Sequence, residues 1–473
     1  MPFFFPDELS QWGEGTWYGS KPDKVSGFSI DARKIRDGEM FVALHGARDG
    51  HDFIGQAFDN GASAALVKVP NSNVNIPQLV VDDPLSAFQG FASTYRKKFK
   101  SPIVGITGSC GKTSTKELLA LLLGSGSHKT EGNLNNFLGV PLTILQIDNQ
   151  EHEYSVVEVG INEVGEMEML SKLASPTHVM ITMIGESHLE GLKNVETIAI
   201  EKANLFQCTG RSTKAIFHAD CLQYQSFSNW VEKDEPRLVL YQGEPTEGEL
   251  SSDIAFYKIW TETNKIGDPC MLRLWRHGSP VLSIEIPSLS EGMKKNIALS
   301  ILTAVELGIS PEKISERLPQ YRPSTLRAAS FQGRGRTYYL DCYNSNPSSI
   351  RDSLDYFSKK FKGTPKLYAL GGMEELGEKE RELHRQVGAT LLLESNDLVV
   401  MIGEKASWFA DGIRETGARD EQMIILEDAS SARALVEDFE GSVLIKGSRA
   451  YQLEQLLPTW AVPELESEVL ATC

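Results

Sequence analysis

The densest group of residues able to do chemistry is GITGSCGKTS, which spans residues 105–114. Its glycines allow backbone amides to point inward around phosphate oxygens, and Lys112 adds a compact positive charge for the β- and γ-phosphates. The Thr113 hydroxyl is suited to Mg²⁺, and the helix that follows presents its positive N-terminal end to the anion. The pattern predicts a phosphate loop that binds a nucleoside triphosphate through Gly108, Ser109, Cys110, Gly111, Lys112, Thr113 and Ser114.

The loop departs from the strict spacing of such motifs, because Ile106 stands where the first glycine is expected. A glycine-rich turn with an incidental lysine is the alternative. The buried strand PIVGIT before the loop and the helix TSTKELLALLL after it favour phosphate binding. Motors, kinases, switches and ligases all use this loop, so the motif alone indicates only nucleotide binding.

Three further candidates follow the loop along the chain. Glu158 ends the apolar strand VVEVG and His188 comes just after the strand THVMITMI, where doubly wound folds place their sites. A helix-capping carboxylate and a hydrogen-bonded structural histidine are the alternatives. Lys202 lies in the helical stretch ETIAIEKANLF, where a solvated surface charge is the default interpretation.

The scaffold that must position these residues is predicted to be of the α/β class, because short apolar runs alternate with helical segments. A chain of 473 residues suggests about three domains. We predict a small α/β N-terminal domain over residues 1–98, a central phosphate-loop domain with a parallel sheet over 99–322, and a Rossmann-like, doubly wound C-terminal domain over 323–473. Strands within 230–290 are expected to be antiparallel additions to the central sheet.

Composition narrows the class of protein further. The net charge of −17 argues against nonspecific binding to nucleic acid or to anionic membranes. The six cysteines form no CxxC pair, so neither a zinc site nor a disulfide framework is expected, and a reducing cytoplasm is the default. No apolar run approaches the roughly 18 residues of a membrane span, and the N-terminus lacks the basic region of a signal peptide.

Several segments beyond the phosphate loop occur together in a recognisable order. They are EGNLNNFLGVPLTIL (131–145), VVEVGINEVGEM (156–167), GESHLEGLKNVETIAIEKANLF (185–206), NIALSILTAVELG (296–308), YRPSTLRAA (321–329), DCYNSNPSSI (341–350), LGGMEELGEKERELH (370–384) and IKGSR (445–449). With the loop, they closely resemble the Mur ligases over nearly the whole chain. The NLNNFLG and YNSNP forms favour the branch that adds D-alanyl-D-alanine over the third-residue-adding ligases and the folylpolyglutamate synthetases.

The resemblance implies an ATP-dependent ligase of peptidoglycan precursor synthesis. Members of this branch join D-Ala-D-Ala to UDP-MurNAc-tripeptide through an acyl phosphate, with ATP going to ADP and phosphate. It implies ATP, two Mg²⁺ ions and CO₂ as cofactors, and a cytoplasmic monomer.

The resemblance also assigns roles to individual residues. Thr113 and Glu158 would bind one Mg²⁺, and His188 and Lys202 a second, with Lys202 carbamylated by CO₂ into an anion. Lys112, Glu158, His188 and Lys202 form the implied catalytic set. Asn296, predicted to open a helix, would contact adenine, Arg327 the phosphates and Asp341 the ribose.

Substrate contacts are implied as well. Asp31 and Arg33 resemble residues that contact the uridine nucleotide. The remaining implied contacts are Asn135 and Asn136 for the UDP-precursor and Tyr343, Asn344 and Asn346 for D-Ala-D-Ala. An asparagine-rich turn without a ligand is the alternative for this last group.

Four positions depart from the family pattern. They are Ala32, Cys110, Leu340 and Gly372, where a hydroxyl residue, asparagine and two acids are usual. None removes a residue of the implied catalytic set. The remaining alternatives are a related ligase with another amino-acid acceptor, a phosphate-loop switch or binding module without ligase activity, and a degenerate paralogue.

Overall fold

The computed structural model describes residues 2–210, 212–246, 251–261, 268–324, 326–458 and 460. Within these residues the strands form three sheets, which fall in turn within the predicted N-terminal, central and C-terminal segments. Buried aliphatic and aromatic side chains fill the layers between sheets and helices. The predicted α/β class is therefore confirmed, whereas the exact domain boundaries stay predictions.

The N-terminal sheet has the order β1-β5-β4-β3-β2, with β1 antiparallel to β5 and the other pairs parallel. Its strands are β1 (Thr16–Tyr18), β2 (Phe28–Ser29), β3 (Met40–Val42), β4 (Ala64–Val67) and β5 (Gln78–Val80). The helices are α1 (Pro6–Trp12), α2 (Ile54–Asp59) and α3 (Pro84–Arg96). Asp83 begins α3 by accepting a hydrogen bond from the Ser86 amide, which satisfies one of the free donors of the first turn.

The central sheet has the order β14-β13-β12-β11-β10-β9-β6-β8-β7. Its strands are β6 (Ile103–Thr107), β7 (Ser127–Lys129), β8 (Tyr154–Glu158), β9 (His178–Ile181), β10 (Lys214–His218), β11 (Arg237–Gln242), β12 (Ile254–Trp260), β13 (Cys270–Arg276) and β14 (Ser279–Ile286). The expectation that every strand within 230–290 is antiparallel is wrong. β11 and β12 continue the parallel sheet, and the antiparallel pairs are β12 with β13 and β13 with β14.

Helices cover this sheet and deliver residues to its edge. They are α4 (Lys112–Leu123), α5 (Gly139–Leu145), α6 (Glu166–Ala174), α7 (Leu189–Leu192), α8 (Val195–Gln207), α9 (Gln225–Glu232), α10 (Glu291–Glu306) and α11 (Pro311–Arg317). Every residue of β6 is buried, as expected for a parallel strand covered on both faces. The prediction that Asn296 opens a helix is wrong. Helix α10 begins at Glu291, after the capping residue Ser290, and Asn296 lies within it.

The C-terminal sheet has the order β15-β16-β20-β17-β18-β19, parallel except for the pair β15 and β16. Its strands are β15 (Ala329–Gly333), β16 (Arg336–Asp341), β17 (Lys366–Gly371), β18 (Leu398–Ile402), β19 (Met423–Leu426) and β20 (Ser442–Lys446). The helices are α12 (Pro347–Lys360), α13 (Glu380–Gly388), α14 (Phe409–Glu415) and α15 (Ala429–Asp438). Short 3₁₀ turns complete the connections.

The N-terminal and central segments share buried polar contacts. The side chain of Arg96, 2% exposed, donates from Nε to the Ala174 carbonyl at 2.9 Å and from Nη2 to the Ser175 carbonyl at 2.8 Å. Tyr95 donates its hydroxyl proton to the Ile147 carbonyl at 2.5 Å. These bonds place the end of α3 inside the central segment.

Helix α12 joins the C-terminal segment to the central one. At its N-terminus, Asn346 donates from Nδ2 to the Ser109 carbonyl at 3.1 Å. Farther along, Asp352 accepts a bond from the Gly292 amide at 3.0 Å and Tyr356 donates to the Ser288 carbonyl at 2.7 Å. None of the described helices is both long enough and apolar enough to cross a membrane.

Candidate active site

A cavity of about 690 Å³ lies between the carboxyl ends of the central strands and the C-terminal segment. Parallel α/β sheets bind ligands at this edge, where loops and helix N-termini converge. The predicted site residues that line it are Ser109, Cys110, Gly111, Lys112, Thr113, Ser114, Asn135, Asn136, Glu158, His188, Asn296, Arg327, Asp341, Tyr343, Asn344 and Asn346. Residues far apart in the sequence are thus brought to one site.

The phosphate loop runs from β6 to α4 and depends on two glycines with positive φ. Gly108 has φ +154° and Gly111 has φ +81°, and each is closely packed. A Cβ atom at Gly108 would meet the Thr182 hydroxyl, and one at Gly111 would meet the Asn296 amide. Glycine is therefore required by both conformation and space.

Lys112 begins α4 and is held back against its own loop. Its ammonium donates to the Gly108 carbonyl at 2.9 Å. Burial lowers the pKa of Lys112, and the carboxylate of Glu158 opposes this shift. The lysine is poised to exchange a carbonyl for a phosphate oxygen, which is the stronger, charge-assisted partner.

Glu158, at the end of β8, has two differently placed oxygens. Oε1 accepts bonds from the Thr113 hydroxyl at 3.2 Å and from Asn135 Nδ2 at 2.8 Å. Oε2 is buried without a hydrogen-bond partner and lies 3.6 Å from the Lys116 ammonium. The interpretation of Glu158 as a helix cap is thereby excluded.

This corner fits the Mg²⁺ ion that the phosphate loop implies. A buried carboxylate oxygen without a hydrogen bond stands beside a threonine hydroxyl, and both are hard oxygen donors. The described residues contain no group of three or more His, Cys, Asp or Glu side chains that could hold a metal. An ion here would complete its shell with phosphate oxygens and water, as Mg²⁺ commonly does.

His188 precedes α7 in a left-handed conformation, with φ +49°. Its Nδ1 atom lies 2.5 Å from Glu375 Oε2, a residue of the C-terminal segment. The contact lowers the pKa of the Glu375 carboxyl. Nδ1 lies beside this carboxylate without forming a hydrogen bond, and Nε2 is the other ring nitrogen that could bind a ligand.

Lys202 is 1% exposed, so the interpretation as a solvated surface charge is wrong. Lys202 is one of the buried residues of helix α8. Burial lowers the pKa of Lys202 well below its ordinary value, the charge of Lys112 lowers it further, and Glu201 opposes them. It does not line the cavity.

The C-terminal segment supplies an aspartate and an arginine. Asp341, at the end of β16, accepts bonds from Lys446 at 2.8 Å and from the Ser353 hydroxyl at 2.7 Å. The Arg327 guanidinium lies over the Tyr343 ring, 3.9 Å from its centroid.

The asparagines mostly shape turns at the edge of the cavity. Asn136 Oδ1 accepts bonds from the amides of Leu138 and Gly139, which begins α5. Asn346 caps α12, and the exposed Asn344 accepts a bond from the Ser345 amide. The turn-forming alternative thus describes part of what these residues do.

Asp31 and Arg33 lie outside the cavity, in the N-terminal segment. Their side chains pair with each other at 2.8 Å, and Arg33 is 75% exposed. The structure therefore does not bring them to the phosphate loop.

Packing accounts for two departures from the family pattern. A Cβ atom at Gly372 would meet the Tyr451 hydroxyl and lie 2.9 Å from Lys405 Cβ, so an aspartate would require these neighbours to move. Leu340 is fully buried in the C-terminal core, where an apolar side chain is favoured.

Three residues at the site were missed as individual candidates. Lys446 holds Asp341, Glu375 contacts His188, and Asp352 contacts the start of α10. Lys446 and Glu375 lie in the quoted segments IKGSR and LGGMEELG, which was the available signal. For Asp352 no spacing in the sequence indicated the contact.

Models of three domains match the chain in order. The catalytic domain of the Mur ligase family matches residues 24–96, the Mur ligase middle domain 106–304, and the Mur ligase, glutamate ligase domain 327–449. The chain belongs to the Mur ligase family. The resemblance noted in its motifs is thereby confirmed.

Individual Mur ligases match the chain from end to end. The UDP-N-acetylmuramoyl-tripeptide–D-alanyl-D-alanine ligase of Bacillus subtilis is 30% identical over 452 residues, 92% of each chain. The ligase of the same name from Escherichia coli is 29% identical, and the match covers 91% of this chain and 92% of that ligase.

Solved Mur ligase structures share the arrangement. A crystal structure of MurF from Acinetobacter baumannii superposes with a TM-score of 0.82 at 26% identity, covering 96% of this chain and 98% of that one. MurF from Thermotoga maritima in complex with ADP gives 0.74 at 25% identity, covering 91% and 96%.

Proposed function

We propose that this Mur ligase joins D-alanyl-D-alanine to UDP-MurNAc-tripeptide, giving UDP-MurNAc-pentapeptide, ADP and phosphate. The observation that carries the proposal is the end-to-end match with ligases of this specificity, in a chain that retains Lys112, Thr113 and Glu158 in one cavity. A ligase with another amino-acid acceptor, and a nucleotide-binding module without ligase activity, are the alternatives to be tested.

The reaction needs a carboxylate that has been made electrophilic. A carboxylate oxygen of the tripeptide attacks the γ-phosphorus of ATP, and ADP leaves. The amine of D-Ala-D-Ala then attacks the acyl carbon, phosphate leaves, and the amine loses a proton. In the first step negative charge develops on phosphate oxygens. In the second step it develops on the acyl oxygen and then on the departing phosphate, and preorganised positive groups stabilise charge of both kinds.

Lys112 and Arg327 are the cations placed to neutralise that charge. They lie on opposite segments, one on the phosphate loop and one at the start of the C-terminal segment. Thr113 and Glu158 would hold a Mg²⁺ ion, which supplies electrostatic stabilisation of the transferring phosphoryl group. Asn296 and Asp341 line the same cavity and are proposed to contact adenine and ribose.

A second Mg²⁺ is proposed at His188 and a carbamylated Lys202. Carbamate formation needs a neutral amine, which attacks CO₂ and releases a proton. The lowered pKa of the buried Lys202 favours that neutral form. The product is an anion, which the neighbouring charge of Lys112 stabilises.

The substrate contacts are proposed from the same resemblance. Asp31 and Arg33 would contact the uridine nucleotide on the N-terminal segment, and Asn135 and Asn136 the precursor within the cavity. Asn344 and Asn346 would help to place D-Ala-D-Ala. Because ATP and a UDP-linked precursor are its substrates, the enzyme is proposed to act in the cytoplasm, as a monomer.

Phosphate release by the purified protein tests this function. Mg-ATP and bicarbonate are supplied with UDP-MurNAc-tripeptide and D-Ala-D-Ala, separately and then together. We expect release to require both substrates and the product to have the mass of the UDP-pentapeptide. Turnover indifferent to both substrates would contradict ligation, and turnover with another amino acid would indicate the related ligase.

A further inference from the structure

The Arg327 guanidinium is held by a ring rather than by a carboxylate. Its carbon atom lies 3.9 Å from the centroid of the Tyr343 ring, well within the distance at which a cation and an aromatic face attract each other. Within the described part of the chain, the guanidinium has no hydrogen bond or ion pair. Both side chains line the cavity. All five N–H donors of Arg327 therefore remain available to a ligand.

The backbone fixes the two residues beside each other. The amides of Cys342 and Tyr343 both donate to the Leu326 carbonyl, at 3.0 and 3.1 Å. Ala328, which follows Arg327, has a left-handed backbone with φ +56°. A non-glycine residue in this conformation costs free energy, so the surrounding contacts must hold it. The Arg327 side chain thus extends over the Tyr343 ring from a backbone that is held in place on both sides.

The charge of Arg327 acts on the phosphate loop. It is near enough to Lys112 to disfavour the charged form of that lysine. Two cations that line one cavity suit a polyanion, even though the Glu158 carboxylate also acts on Lys112. The triphosphate chain of a nucleotide is that ligand under the proposed function.

We propose that Tyr343 is a positioning residue for Arg327, whose guanidinium it holds over its ring and towards the nucleotide phosphates. The inference rests on the proposed function and gives Tyr343 a role other than the D-Ala-D-Ala contact expected from sequence. An unsupported arginine would lose side-chain entropy on binding, whereas a stacked one is already restricted. The face of the ring matters for this role and the phenolic hydroxyl does not.

Direct binding of ADP, measured by titration calorimetry, tests the inference. Replacing Tyr343 with leucine, Tyr343→Leu, removes the ring and is expected to weaken ADP binding between about 3-fold and 30-fold. Tyr343→Phe keeps the ring and is expected to restore the affinity to within about twofold of the native value. The KM for D-Ala-D-Ala should change by less than about twofold in both variants.

The variant Arg327→Ala provides the matched background. If Tyr343 acts through the guanidinium, adding Tyr343→Leu to Arg327→Ala should weaken ADP binding no further. An equal loss in both backgrounds would overturn the inference, as would a KM for D-Ala-D-Ala that rises with the loss of the hydroxyl alone. Thermal melting checks that each variant is folded, and Tyr343→Met replaces Tyr343→Leu if the latter is not.

ADP binding and ligation by the native protein distinguish failure of this inference from failure of the proposed function. Failure of the native chain to bind ADP or to form product would contradict the function itself. A native chain that binds ADP and ligates, together with a Tyr343→Leu variant of undiminished ADP affinity, would contradict only the role of Tyr343.

Discussion

The two carboxylate oxygens of Glu158 have different roles, one in holding the side chain and one in binding a cation. Oε1 is satisfied by Thr113 and Asn135, which fixes the orientation of the carboxylate. Oε2 remains without a hydrogen bond inside the protein, which costs free energy of folding. A residue that is held in place and left partly unsatisfied is suited to a cation that arrives with the nucleotide.

Lys202 allows a test in which stability and activity move in opposite directions. Lys202→Met removes a buried amine whose charged form is disfavoured, so we expect the free energy of unfolding to rise by about 1–3 kcal/mol. Ligation should fall about 100-fold or more, because the proposed carbamate ligand is lost. Urea unfolding and phosphate release measure the two effects.

Carbon-13 NMR provides a second measurement on the same residue. With labelled bicarbonate, a carbamate signal is expected in the native protein and not in Lys202→Met. The exposed Lys172 offers a control, since Lys172→Met should keep both the signal and the activity. A native signal that survives in Lys202→Met would show that the carbamate lies elsewhere.

At the scale of elements, helix α12 makes several of the contacts between the C-terminal and central segments. Asn346 contacts the phosphate loop, Asp352 contacts the start of α10, and Tyr356 contacts the Ser288 carbonyl in the segment that leads into α10. Because α10 also carries Asn296, the position of α12 is coupled to the nucleotide site at both of its ends. Closure of the C-terminal segment onto the central one would therefore complete the site.

We expect Asp352→Ala to weaken this closure. The variant leaves the Gly292 amide without its partner, a loss of about 1–2 kcal/mol, and should weaken ADP binding about 5-fold to 30-fold. Calorimetric titration provides the measurement. On the same helix, the exposed Asp355 pairs with Lys359 alone among the residues that the structure describes, so Asp355→Ala should bind ADP normally. Equal binding by both variants would show that α12 does not control the site.

Elements were predictable from the sequence where the information is local. Periodicity and glycine spacing located β6, the phosphate loop and α4, because strand, turn and helix each depend on neighbouring residues. The direction of β11 and β12 was not predicted, because short apolar runs do not specify how the chain connects one strand to the next. The burial of Lys202 and the contact of Asp352 depend on packing between distant segments, which periodicity does not encode.

At the scale of the whole molecule, stability should fall in mild acid through a histidine pair. His128 stacks on His152, with ring centroids 4.9 Å apart, and its Nε2 lies 3.0 Å from the Thr143 carbonyl. Burial, followed by the charge of His152, lowers the pKa of His128 from 6.5 to about 4. Between those two values the unfolded chain binds more protons, so the folded state loses stability as the pH falls.

This loss is measurable by urea unfolding at pH 7 and pH 5. His128 should account for about 2 kcal/mol of the difference between the two pH values, from its shift toward 4. His128→Gln keeps a donor for the Thr143 carbonyl but does not titrate, so its difference should be smaller by that amount. The exposed His277 serves as a control, because His277→Gln should retain the native difference. An unchanged difference in His128→Gln would contradict the assignment.

The buried bonds of Arg96 have a consequence for the order of folding during synthesis. The arginine is translated at the end of α3 and meets the Phe99 carbonyl at once, but two further carbonyl partners lie 78 and 79 residues later in the chain. At about 5–20 residues per second the ribosome needs roughly 4–16 s to deliver them. Until then the charged guanidinium lacks its bonds to the Ala174 and Ser175 carbonyls. We therefore expect the nascent N-terminal segment to remain sensitive to protease until the end of α6 has left the ribosomal tunnel.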